Sequence, residues 1–177
     1  SAANFTLANT AGATLALGNF PLTIGSISGG GATGGNVVLG ANTLTVGNTL
    51  STNYAGVISG TGGVTKTGTG TLVLTGNNVY TGLTEIQEGT LQVTGNSIGD
   101  TSLVTLANSR VSTLELLASE TIGRLSGGGR NTDGDYGTVA VGSHTLTINN
   151  SGGNTTFAGF FTGDGTIVKQ GTHNLNL

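Results

Sequence analysis

Ten side chains of this 177-residue sequence could move protons or hold a divalent cation: Glu85, Glu88, Asp100, Glu115, Glu120, Asp133, Asp135, Asp164, His144 and His173. With no cysteine in the chain, thiolate catalysis, disulfides and most zinc sites are excluded together. Cleavage of a polysaccharide would need carboxylates clustered around Ca²⁺, or paired acids beside a basic group. Here the acids are scattered, and only Glu85/Glu88 and Asp133/Asp135 approach each other in sequence. Glu115 falls between Leu114 and Leu116, the outward position of an alternating strand. Function must be argued from a site, and no catalytic site or cofactor set can be assembled, so the sequence reads as non-enzymatic.

One segment is patterned like a cation loop. Asn131, Asp133 and Asp135 alternate oxygen ligands, as in Asn131-Thr132-Asp133-Gly134-Asp135, which makes them the candidate calcium residues. Against this, Gly142 occupies the place of the bidentate Glu of an EF-hand, and Tyr136 stands where its turn glycine would be. The expectation is a polar surface loop over 127–137. Tyr54, Tyr80 and Phe157 could stack on carbohydrate, although single aromatics near turns also serve as caps on an apolar stack. The Thr-rich segments, such as Thr67 to Thr71, admit an ice-binding reading as a minor alternative, but Thr is also a good residue for the wet face of a strand. Lys66 and Lys169 are expected to face solvent and discourage edge pairing. Glycine strings occur without the strand–helix context that phosphate binding requires.

The elements that must position these residues are strands. The chain holds 34 Gly, 32 Thr and a single Pro, with 7% charged residues and mean hydropathy +0.15. Ala, Glu, Lys and Arg never cluster at helical spacing, whereas Thr favours strands. Glycine follows no three-residue period, which excludes collagen, and the Leu, Ile and Val content argues against disorder. Five Lys plus Arg, widely separated in a chain of net charge −3, argue against nucleic acid as a partner. No run approaches the roughly 18 apolar residues of a membrane span, and any membrane attachment would come through a separate translocator or anchor. The chain starts on Ser1, as a processed or excised segment would.

A long unit occurs twice. TLAN at Thr6 returns at Thr105, and TIGSISGGG from Thr23 returns as TIGRLSGGG from Thr121. The stretch YAGVISGTGGVTKTGTGTLVL from Tyr54 is matched by FAGFFTGDGTIVKQGTHNLNL from Phe157. The spacing drifts only in the glycine-rich connections, where repeat architectures accept insertions. This divides the chain into a first copy, 1–102, and a second, 103–177, that stops mid-repeat. Within each copy, short runs such as Leu72-Val73-Leu74, Leu91-Gln92-Val93 and Leu146-Thr147-Ile148 alternate apolar and polar residues. Strands this short cannot bury a face alone, so they must stack on equivalents from neighbouring turns of a coil, with Leu, Val and Ile inward and Thr and Asn outward. The expected fold is an all-β parallel β-solenoid of stacked short strands; a β-sandwich would want longer strands and leave the long repeat unexplained.

From Gly56 to Val93 the sequence GVISGTGGVTKTGTGTLVLTGNNVYTGLTEIQEGTLQV resembles the autotransporter-associated β-strand repeat of bacterial type V secretion passengers. The resemblance rests on SGTGG at Ser59, Lys66 within a Gly/Thr run, GTGTLVLTG, NNVYTG with Tyr80, and GTLQV from Gly89. In the second copy the NxYTG half is missing and His173-Asn174 replaces Gly70-Thr71. The resemblance implies a right-handed parallel β-helix, exported to the bacterial surface or beyond, whose repeat is structural. The expected role is a stalk, fibre or adhesin passenger. Its partners would be copies of itself stacked end to end through an uncovered last turn near Leu175 and Leu177, or a host or matrix glycan or protein. A carbohydrate-binding or polysaccharide-cleaving β-helix is the alternative.

Overall fold

The computed structural model describes residues 2–108 and 111–177, and among them there is no helix. The chain coils through successive rungs of short strands. The first rung is β1 (Asn4–Leu7), β2 (Thr14–Ala16) and β3 (Leu22–Ile24), and the second is β4 (Ser26–Gly29), β5 (Asn36–Val38) and β6 (Leu44–Val46). The third is β7 (Thr52–Tyr54), β8 (Ile58–Ser59) and β9 (Val64–Lys66). The fourth and fifth each have two strands, β10 (Thr71–Leu74) with β11 (Thr84–Ile86), and β12 (Gly89–Val93) with β13 (Leu103–Leu106). The sixth is β14 (Ser112–Leu116), β15 (Glu120–Ile122) and β16 (Arg124–Gly127). The seventh is β17 (Thr138–Gly142), β18 (Thr145–Asn149) and β19 (Thr155–Thr156), and the eighth is β20 (Phe160–Gly163), β21 (Thr166–Gln170) and β22 (Leu175–Asn176).

Like strands of successive rungs pair in parallel and give the solenoid three faces. Face one is a continuous eight-stranded sheet, β1-β4-β7-β10-β12-β14-β17-β20. Face two carries β2-β5-β8, then resumes as β15-β18-β21 after two rungs without a strand. Face three runs β3-β6-β9-β11-β13-β16 and continues as β19-β22, joined by a bridge between Gly127 and Phe157. These pairings establish the parallel β-solenoid and exclude a sandwich, whose sheets are antiparallel.

Parallel register places like on like. On face one Leu72, Leu91, Leu114 and Val139 pair in succession and are buried, and so do Tyr54, Leu74, Val93 and Leu116 one step along the strand. On face three Leu44 and Val64 stack in the same way. The interior is thus a set of aliphatic columns spaced by the inter-strand distance of about 4.8 Å. At the corners the rungs approach backbone to backbone. A methyl group on Gly30 would lie 2.5 Å from the Gly56 nitrogen, and Gly30 also holds φ +67°; only glycine meets both demands.

The internal repeat does not map onto whole turns. The first-copy strands β1 to β10 recur in order as β13 to β22, but each recurs one face earlier in the turn: β1 lies on face one and β13 on face three, β3 on face three and β15 on face two. The intervening β11 and β12, with two strandless passages on face two, offset the second copy by a third of a turn. Side chains of one copy therefore do not stack on their own duplicates.

Truncating the face-one column at its middle should show what holds the coil together. Leu114→Ala is expected to cost about 3 kcal/mol in urea unfolding, while Thr113→Ala, which faces outward, should stay within about 0.5 kcal/mol.

Candidate functional site

Loop 127–137 emerges at the corner between faces three and one and lies along the corners of earlier rungs. It borders a cavity of about 390 Å³ with Thr69, Glu88, Thr90, Val111, Thr113, Asn131, Asp133 and Asp135 on its walls. Asn131 is buried, and its carboxamide oxygen accepts the backbone N–H of Asp133 (2.9 Å) and of Asp135 (2.8 Å). Its own N–H donates to the Asp135 carbonyl at 2.7 Å. Asn131 is thus an internal brace of the loop, and the carboxylates of Asp133 and Asp135 stand exposed. Among the described residues no three His, Cys, Asp or Glu side chains group as a metal ligand set.

The remaining acids are distributed over all three faces and their corners. Glu85 accepts from Gln87 at 2.9 Å on the outside of β11, and Glu115 accepts from Gln92 at 2.8 Å on the outside of β14. Glu88 sits at the loop cavity, Asp100 at the corner of faces two and three, and Asp164 in the last rung. His144 and His173 lie in different rungs, seven and eight. The aromatic residues Tyr54, Tyr80 and Phe157 are at most 1% exposed, which removes them as a sugar-stacking platform. The outward threonines of face three, Thr23, Thr45 and Thr65, give way to Glu85 in the next rung.

Lys66 is a correction to the solvent-facing expectation. It occupies the inward column between Val46 and Ile86, is 2% exposed, and sends its ammonium to the carbonyls of Thr67 (2.7 Å), Gly68 (2.6 Å) and Glu88 (3.1 Å). Its methylenes fill the aliphatic column while the head group caps a corner. Burial lowers its pKa to about 8, partly offset by the charge of Glu88. Lys169 makes the matching bond to Gly171 at 2.8 Å and occupies an equivalent inward column, over Ile148, but in the last rung of the segment it is exposed.

Three further sets of polar groups replace strand hydrogen bonds where face two lacks its strand. The Asn78 carboxamide accepts from Ile58 N–H (2.7 Å) and donates to Ser97 C=O (2.6 Å), linking rungs three and five. Tyr80 Oη, Thr84 Oγ1 and Ser102 Oγ form a buried chain with contacts of 2.6 and 2.9 Å that ends on the Gly82 carbonyl. Glu120 closes the strandless passage from the other side, accepting Ser97 N–H at 2.9 Å and Thr121 N–H at 3.1 Å. Sequence reasoning counted this acid only among the scattered carboxylates. The signal was available: the repeat aligns Glu120 with Leu22, so a charged group stands in an apolar slot.

Burial lifts the Glu120 carboxyl to about 7, with the backbone bonds from Ser97, Thr121 and Ile98 opposing and the charge of Asp100 adding to the rise. A folded-state pKa above the ordinary 4.5 means the fold holds this proton more tightly than the unfolded chain does. Stability should therefore increase as pH falls from about 7 toward 4.5, by no more than about 3 kcal/mol. Denaturant titrations across that window should show this slope in the parent chain and its loss in Glu120→Gln. For the loop, millimolar Ca²⁺ is expected to leave Tm unchanged in the parent and in the Asp133→Asn, Asp135→Asn double variant alike.

Residues 64–93, from β9 through β12, match the family model described as the passenger-associated-transport-repeat. Over 120 residues the chain is 37% identical to the adhesin BmaC autotransporter of Brucella suis biovar 1 (strain 1330). That match covers 67% of this chain and 3% of the relative, so the chain spans a small fraction of that protein's length. No solved structure matches the chain. The matched repeat contains the inward Lys66, the bridging Asn78 and the buried Tyr80–Thr84 pair, and residues 64–93 of this chain are thereby a repeat of the autotransporter passenger type.

Proposed function

We propose that this chain is a non-catalytic length of the exported passenger of a bacterial surface adhesin, serving as a rod that carries binding surfaces away from the cell. The observation that supports the reading most directly is the repeat at 64–93 set within a parallel stack whose first face is continuous, together with the similarity to a relative whose name is that of an adhesin autotransporter. A solenoid lengthens by adding rungs, each contacting only its neighbours, so reach grows without a new core. Rungs that template one another also suit a chain that emerges unfolded and folds progressively. The scattered carboxylates offer such a rod no paired acid and base.

End-to-end association of copies is part of the proposal. In the isolated 177-residue segment the first and last rungs present half-buried Phe5, Leu7, Leu15, Phe161, Ile167 and Leu175. Their unpaired strand edges would extend by pairing head to tail, in a contact that does not close.

The purified segment should bind host cells or immobilised extracellular matrix saturably and release no reducing ends or unsaturated products from mixed polysaccharides. Product release would overturn the non-catalytic reading, and absence of binding across cells and matrix would overturn the adhesin reading. Light scattering should show mass rising with concentration; a strict monomer would remove the end-to-end contact.

A further inference from the structure

A notch opens at the corner between faces two and three, on the opposite side of face three from loop 127–137. In rung six that corner is a single residue, Gly123, between β15 and β16. A Cβ there would lie 2.3 Å from the Thr101 carbonyl oxygen, so the backbone is drawn tightly against the rung below. The neighbouring corners are longer. Residues 99–102 make a turn closed by Ser102 N–H to Gly99 C=O at 2.7 Å, and residues 150–154 form a loop before β19. A short corner between two long ones leaves a cavity of about 280 Å³, lined by Asp100 and Thr101 of the rung below, Gly123 and Arg124 of the short corner, and Asn149, Ser151 and Gly152 of the rung above.

Asp100 and Thr101 also line an adjoining cavity of about 320 Å³ with Asn77, Val79, Thr81 and Asn96. The two form one groove along the corner from rung four to rung seven, roughly 14 Å at the inter-strand spacing. It exists because face two has no strand in rungs four and five.

The geometry points to this groove as a binding site for a neutral linear oligosaccharide. Its chemistry is a set of hydroxyl partners: the Asp100 carboxylate as acceptor, the Arg124 guanidinium as donor, and exposed side chains of Asn77, Asn96, Thr101 and Ser151 able to do either. Arg124 donates to the Gly152 carbonyl (3.3 Å), and Asp100 is exposed on the cavity wall. Val79, 63% exposed, offers the apolar contact that a pyranose ring face takes. The repeat supplies a comparison. The first copy has Ser26 and Leu22 where the second has Arg124 and Glu120, and the matching corner at Gly25 is bridged by Asn48 donating to Asn4 at 3.0 Å. Its Cβ position lies 3.2 Å from that Asn48 amide, so the corner is filled. The second copy has opened the same corner and placed a charged residue in it.

The inference gives a ligand class to the adhesin reading and rests on it for biological meaning. Its test is chemical. Backbone ¹⁵N spectra of the purified chain, titrated to millimolar cellotriose, maltotriose and chitotriose, should show saturable shifts at Thr101, Gly123, Arg124 and Ser151 with at least one sugar. Asp100→Asn should weaken that binding by about tenfold or more through loss of a charged acceptor, and Ser151→Tyr, at an exposed wall, should block it without altering Tm. Asp133→Asn should leave it unchanged. No shift with any of the three sugars, or shifts that persist in both groove variants, would overturn the site. Cell binding equal in the parent and in Ser151→Tyr would remove the groove from adhesion while leaving the adhesin reading intact.

Discussion

Parallel pairing of each rung with the next is the constraint on which the rest of this structure depends. Because partner strands run the same way in register, each side chain lies over one from the rung before. Apolar columns such as Leu72–Leu91–Leu114–Val139 follow directly, and so does the tolerance for threonine and asparagine outside. A three-residue strand gains little on its own; its stability comes from neighbours above and below.

The same constraint explains where polar groups go inside. When a rung lacks its strand, the N–H and C=O groups of adjacent rungs lose partners, and burial makes that loss expensive. Asn78, Thr84, Ser102 and Glu120 are gathered where face two is interrupted and restore those bonds from side chains. Lys66 performs a related task at a corner, where three carbonyls converge. The passenger-associated-transport-repeat at 64–93 contains Lys66, Asn78 and Thr84, so its conspicuous residues are those that let a rung omit a strand and stay in register.

Surface features arise at corners because the faces are committed to pairing. Corner length varies from one residue at Gly123 to the long loop at 127–137, and the differences between neighbouring corners create the concavities. Since the sequence unit is not a whole number of turns, duplicated corners point in different directions along the rod. Repetition of sequence thus yields variety of surface.

The sequence alone determined the class of fold, because period-2 alternation in strands of three to five residues, broken by glycine, leaves stacking as the available way to bury leucine and valine. It also determined the resemblance carried by Gly56 to Val93, since those residue types are demanded locally by corners and columns. What it left open was which neighbour each residue meets. Its charge alone placed Lys66 outside, but register set it between Val46 and Ile86, where its long stem suits an apolar column. Glu120 looked like one more scattered acid until the fold brought it against Ser97, 23 residues away. Asn131 looked like a cation ligand, and the loop uses its carboxamide for two N–H groups of its own. Tertiary structure decided these because the distance from one rung to the next, about twenty residues in sequence and one strand spacing in space, depends on every corner between them.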